Sequence, residues 1–121
     1  MRADIFLAGL IGASLTAVSA VAQDGQYGDA LKRMLDEAAA GQCSTELMGE
    51  QLLAACNQQI AAMSAGLKSL GAVESLTFVR SEEGPQGRVE TYQVKFAGGQ
   101  MMNWFIGGMN EGKFETAGSQ G

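Results

Sequence analysis

Between residues 53 and 70 the apolar positions are Leu53, Cys56, Ile60, Met63, Leu67 and Leu70, alternately three and four apart. That spacing puts all six on one side of an α-helix, and Gly71 follows where a glycine closes a last turn. A shorter helix precedes it. Leu31, Met34, Leu35 and Ala38 share one face, with Lys32, Asp36 and Glu37 facing away. Asp29 stands at its N-cap position and Gly41 at its end. Gly66 costs the longer helix about 1 kcal/mol relative to alanine and is read as a point where a strand or the first helix comes close.

From Val73 the period changes to two. Leu76 and Phe78 alternate with polar neighbours, and residues 81–87 (SEEGPQG) interrupt the chain with its single proline. Tyr92, Val94 and Phe96 form a second alternating set, Met102, Trp104 and Ile106 a third, and residues 113–115 a short fourth strand after the turn at residues 110–112. A slip of one residue turns a strand over, so the turn near Gly98-Gly99 can be read for register. A three-residue loop over 98–100 sets Phe96 opposite Met102, Val94 opposite Trp104 and Tyr92 opposite Ile106. A two-residue turn mixes the faces. The expected fold class is therefore α+β: two helices packed on one face of a three- to four-stranded antiparallel meander. Tyr92, Val94, Phe96, Met102, Trp104, Ile106 and Phe78 form the covered face, and Thr91, Gln93, Lys95, Met101, Asn103 and Phe105 the far one.

The N-terminus follows another logic. Arg2 precedes an apolar run over residues 5–18, and Ala20-Val21-Ala22 supplies small residues for cleavage before Gln23. Residues 1–22 are read as a signal peptide, 23–28 as a flexible N-terminus, 29–116 as one α+β domain and 117–121 as a flexible tail. The alternative, an uncleaved anchor, fits less well: the run is shorter than the roughly 20 apolar residues of a span, and no basic cluster follows it. The expected location is periplasmic or secreted, with no membrane attachment after cleavage. The net charge of −5, without a basic stripe, argues against nucleic acid as a partner.

An isolated cysteine pair in an exported chain is most simply a disulfide. One unbroken helix from residue 44 through Cys56 would put Cys43 about 20 Å from it along the axis, whereas a disulfide tolerates at most roughly 7 Å between Cα atoms. A turn over 44–49, with the long helix starting near Glu50, reconciles the two. Two free buried thiols are the alternative. A redox pair lacks both the Cys-x-x-Cys spacing and a neighbouring base.

The absent residue types bear on chemistry. There is no histidine, so the commonest general base and metal ligand is missing. Glu82 and Glu83 are read as solvating charge. Glu90, on the Tyr92 side of its strand, is the one catalytic candidate: half-buried, it would carry a raised pKa, and the competing reading places it at the sheet edge beside Arg88 or water. Met101, Met102 and Met109 suggest a thioether copper site, but alternation sends Met101 and Met102 to opposite faces. No metal or cofactor is expected.

The segments Leu67-Lys68-Ser69-Leu70-Gly71, Leu76-Thr77-Phe78-Val79, Tyr92-Gln93-Val94-Lys95-Phe96, Asn103-Trp104-Phe105-Ile106 and Asn110-Glu111-Gly112-Lys113 together resemble a small accessory module of bacterial β-lactamase-like serine hydrolases, similar to a cystatin- or NTF2-like α+β fold. The resemblance covers residues 29–116. No serine has a lysine three residues later, so the hydrolase's Ser-x-x-Lys nucleophile is absent and the resemblance implies no catalytic residue. Gln93-Val94-Lys95-Phe96-Ala97 only begins like the inhibitory Gln-x-Val-x-Gly of cystatins.

Two functions fit. The first is a non-catalytic exported binding or scaffold module, its partner an unknown protein or a small apolar ligand, with Phe78, Tyr92, Met102 and Trp104 lining a pocket or filling the core. The second is a small NTF2-like enzyme or ligand carrier, using Glu90 or Tyr92 in a cavity between helix and sheet. A homodimer through Met101 and Phe105 is a further expectation.

Overall fold

Leu31, Met34, Leu35 and Ala38 are all buried along α1 (Gly28–Ala39), as their spacing requires. The opposite face carries ion pairs one turn apart, Lys32–Asp36 at 2.7 Å and Arg33–Glu37 at 2.9 Å. Gly41, in the left-handed region at φ 86°, ends the helix and donates its N–H to the Ala38 carbonyl. These elements belong to a computed structural model that describes residues 25–120. The leader expected over residues 1–22 lies outside them. Among the described residues no helix is long and apolar enough to cross a membrane.

The second helix, α2 (Glu50–Leu70), starts where the cysteine argument put it. Before it, the chain turns at Ser44, whose carbonyl accepts the Leu47 and Met48 N–H groups. Cys43 and Cys56 are bonded, with 6.0 Å between their Cα atoms. The buried arc of α2 is rotated from the expected stripe. Leu52, Cys56, Ser64 and Leu67 are buried, while Leu53, Ile60, Met63 and Leu70 are half-buried. The cause is α1, which packs on the flank of α2 and presents the Ala39 carbonyl to Ser64 Oγ at 3.0 Å. Gly66 faces open space, so no close approach explains it.

Four strands follow in meander order: β1 (Val73–Gly84), β2 (Gly87–Phe96), β3 (Met101–Asn110) and β4 (Lys113–Ser119), each antiparallel to the next. The fold is α+β, with both helices packed with the sheet. Strand pairing continues into the expected loop over 81–87, leaving Pro85 and Gln86 as a two-residue turn between Gly84 and Gly87. The next hairpin differs in register. Tyr92 pairs with Trp104, Val94 with Met102 and Glu90 with Ile106, because the loop is 97–99 rather than 98–100. The Ala97 N–H donates to the Ala72 carbonyl at 2.7 Å and the Gly98 N–H to Leu70 at 3.0 Å. Docking of the tip on the end of α2 thus draws the turn one residue earlier. The resulting offset is two residues, one full pleat, so every side chain keeps its expected face.

The described parts of both expected loose ends, residues 25–28 and 117–120, are engaged. The fourth strand runs beyond residue 115: Trp104 pairs with Ser119, and the Gln120 N–H donates to Asn103 at 2.8 Å. At the start of α2, Met48 bridges to Phe114 in parallel, through Gly49 N–H to the Phe114 carbonyl and Phe114 N–H to the Leu47 carbonyl, both 2.7 Å. Phe114 thereby becomes a core residue, fully covered and stacked edge-on by Tyr27 with 4.9 Å between ring centroids. On the far face Met101 is 55% exposed, while Phe105 lies against Gly118, where a Cβ would come within 3.0 Å of the ring.

Candidate functional site

Glu90 sits on the helix-facing side of β2 and is completely buried. The chain entering α1 crosses directly above it. Gly25 is required there, since a Cβ would collide with the Tyr92 hydroxyl and the Glu90 carboxylate. Four groups converge on the carboxylate. The Gln26 N–H donates to both oxygens at 2.9 Å, the Tyr27 N–H to Oε1 at 2.9 Å, the Tyr92 hydroxyl to Oε1 at 2.7 Å and the Arg88 Nε–H to Oε2 at 2.6 Å. Burial alone would raise the Glu90 pKa. The Gln26 N–H, the Tyr92 hydroxyl, Arg88 and the Tyr27 N–H together outweigh it and hold the carboxyl below its ordinary range. Tyr92 moves up, first through burial and then through its hydrogen bond to Glu90 and that group's charge. Arg88 is pushed up by Glu90.

The sheet-edge position and raised pKa considered for Glu90 therefore give way to a buried, ionised carboxylate, although the Arg88 partnership is present. A carboxylate offers about four lone-pair positions, and four donors occupy this one. It is an electrostatic clasp that fastens the start of α1 to β2. Asp29, expected to cap that helix, lies exposed inside its first turn, and neither helix has a side-chain cap from its own N-cap residue. Glu115 on β4 plays the corresponding part for α2, accepting the Gln51 N–H at 3.2 Å.

Three hollows flank this framework, and Glu90 lines none of them. The first is a partly open cavity of about 220 Å³ between α1, α2 and the β3–β4 pair, with walls including Leu31, Met34, Leu52, Cys56, Met63 and Trp104. The second, about 390 Å³, is a groove between the C-terminal half of α2 and β3, formed by Met63, Gly66, Leu67, Ser69, Leu70, Met102 and Trp104. Among the described residues no charged side chain lines either one. The third is a polar cleft of about 430 Å³ between the start of α1 and β1, bordered by Asp29, Lys32, Glu74, Phe78 and Tyr92 among others.

The four pocket residues expected from the sequence are thus divided. Phe78 and Tyr92, packed edge to face with 5.7 Å between ring centroids, face the polar cleft. Met102 and Trp104 face the apolar groove. Met63 and Trp104 are walls of both the groove and the cavity. The Trp104 indole N–H is buried and finds no acceptor among the described residues. Met63, Leu67 and Leu70 were visible in the sequence as a stripe facing the sheet, over an interior read as either a pocket or a filled core. The hint of a hollow was the run of small residues on the surrounding elements, Ala38 and Ala55 on the helices and Ala117 and Gly118 on β4. Among the described residues no three His, Cys, Asp or Glu side chains converge as a metal site requires. Met101 and Met102 lie on opposite faces of β3. Comparison with family models, curated proteins and solved structures finds no match to this chain.

Proposed function

We propose that this protein is an exported, non-catalytic binding module that holds a small apolar ligand between α2 and the sheet. The observation that carries the reading is the pair of uncharged hollows on either side of Met63 and Trp104. Apolar walls with few polar groups are the usual composition of a small-molecule site. Catalysis by Glu90 draws no support, because its lone pairs are all engaged and it meets no hollow. The Cys43–Cys56 bond supports an oxidising, periplasmic or secreted setting. Kinship with the cystatin- or NTF2-like accessory modules is part of the proposal; the succession of two helices and a four-stranded meander favours it.

Thermal unfolding with neutral apolar probes such as cumene or 1-octanol tests the binding claim. A ligand that binds only the folded chain, at ten times its dissociation constant, adds about 1.4 kcal/mol and raises Tm by several degrees. An unchanged Tm across neutral probes rejects the reading. N-terminal sequencing of the exported chain tests the location, with Gln23 as the expected first residue.

A further inference from the structure

Resting on that reading, we propose that the cavity and the groove are two halves of one channel under α2, built for an uncharged single-chain amphiphile and divided by Met63 and Trp104. Both side chains wall both hollows, so they form the partition. Each can yield. Met63 is half-buried, unbranched and flexible about three bonds. Trp104 has no hydrogen bond from its indole N–H to any described residue, so packing alone holds the ring.

The lining sets the ligand's chemistry. Along the underside of α2 the walls are aliphatic side chains, methionines and the indole, and among the described residues there is no cation to receive a carboxylate or phosphate and no anion to receive an amine. A charged group enclosed here would lose its hydration without a partner. The polar side chains of the two linings are Gln59 and Ser119 of the cavity and Ser69 of the groove, all exposed to solvent. They suit a neutral hydroxyl or ester head at a mouth, with an alkyl chain inside.

Chain length distinguishes one channel from two separate hollows. A dry cavity of about 150 Å³ accommodates benzene; a methylene takes more room than an aromatic CH, so by proportion the 220 Å³ cavity fills at about six alkyl carbons. Linear 1-alkanols of roughly four to twelve carbons, titrated against the intact disulfide-bonded protein and followed by Trp104 fluorescence (the chain's single tryptophan), give the answer. If the partition opens, affinity rises about three- to fourfold per methylene through twelve carbons. In Met63→Ile, whose branched side chain is stiff, the rise stops near six. A plateau near six carbons in the wild type overturns the channel while leaving the binding module intact. So does a Met63→Ile variant that gains from length as the wild type does. If no alkanol binds at all, the parent reading fails with it.

Discussion

The Glu90 carboxylate accepts the Tyr27 backbone N–H at 2.9 Å across 63 positions of sequence. Tyr27 is the N-cap of α1 and has no side-chain cap of its own. The backbone donors of the two residues leading into that helix, Gln26 and Tyr27, are therefore satisfied by a residue on β2, and burial of the carboxylate makes the arrangement costly to disturb.

Glu90→Gln is expected to lose about 2 kcal/mol at neutral pH, from weakened charge-assisted hydrogen bonds and an Arg88 left without its counter-ion. For a domain of this size that lowers Tm by about 10 °C. The pH dependence follows from the lowered folded-state pKa of Glu90. Its contribution is present in full above the unfolded value of about 4.3 and is lost as pH falls below it through the folded value. Glu37 is also lowered, by the Ser44 hydroxyl and then Arg33, so its contribution too is lost as pH falls below its unfolded value. The difference between wild type and Glu90→Gln in acid unfolding isolates Glu90, and the gap should close as the pH drops.

Gly107 pairs with Val89 on the neighbouring strand, and a Cβ there would lie 2.7 Å from the Val89 Cα, against backbone that cannot step aside. Gly107→Ala should therefore cost about 1–3 kcal/mol, measured as a reduced urea midpoint with an unchanged m-value.

Gly66 presents the opposite case. Beyond its chain neighbours and its own helix backbone, no described atom would lie within 4 Å of a Cβ at this position, in the interior of a 21-residue helix. Gly66→Ala should add about 1 kcal/mol through helix propensity and a less flexible unfolded chain, seen as a rise in Tm.

The Cys43–Cys56 bond closes a short loop with a sequence separation of 13. Replacing both cysteines with serine should cost about 3 kcal/mol. Because Cys56 also lines the 220 Å³ cavity, the same variant should bind neutral probes more weakly. Mass analysis of the unreduced wild type should show two hydrogens fewer than the free-thiol chain.

Much of the scaffold was legible locally. Given a disulfide, the start of α2 followed from one comparison of lengths, since a continuous helix separates Cys43 and Cys56 by more than a disulfide spans. The Gly98-Gly99 hairpin was legible only to within one pleat. Alternation specifies which face a side chain takes, whereas the register depends on the Ala97 and Gly98 N–H groups finding carbonyls at the end of α2.

By itself the sequence determined the two helices, the buried face of α1 and the alternating strands that follow, though not their ends. Each depends on spacing along the chain, which carries the periods of 3.6 and two residues directly. Tertiary structure alone decided that Glu90 would clasp the start of α1, that Ser64 would be buried against α1, and that Met63 and Trp104 would stand between two hollows. Those outcomes depend on which donors remain unpaired and which volumes remain unfilled once the elements have packed, quantities that no local pattern contains.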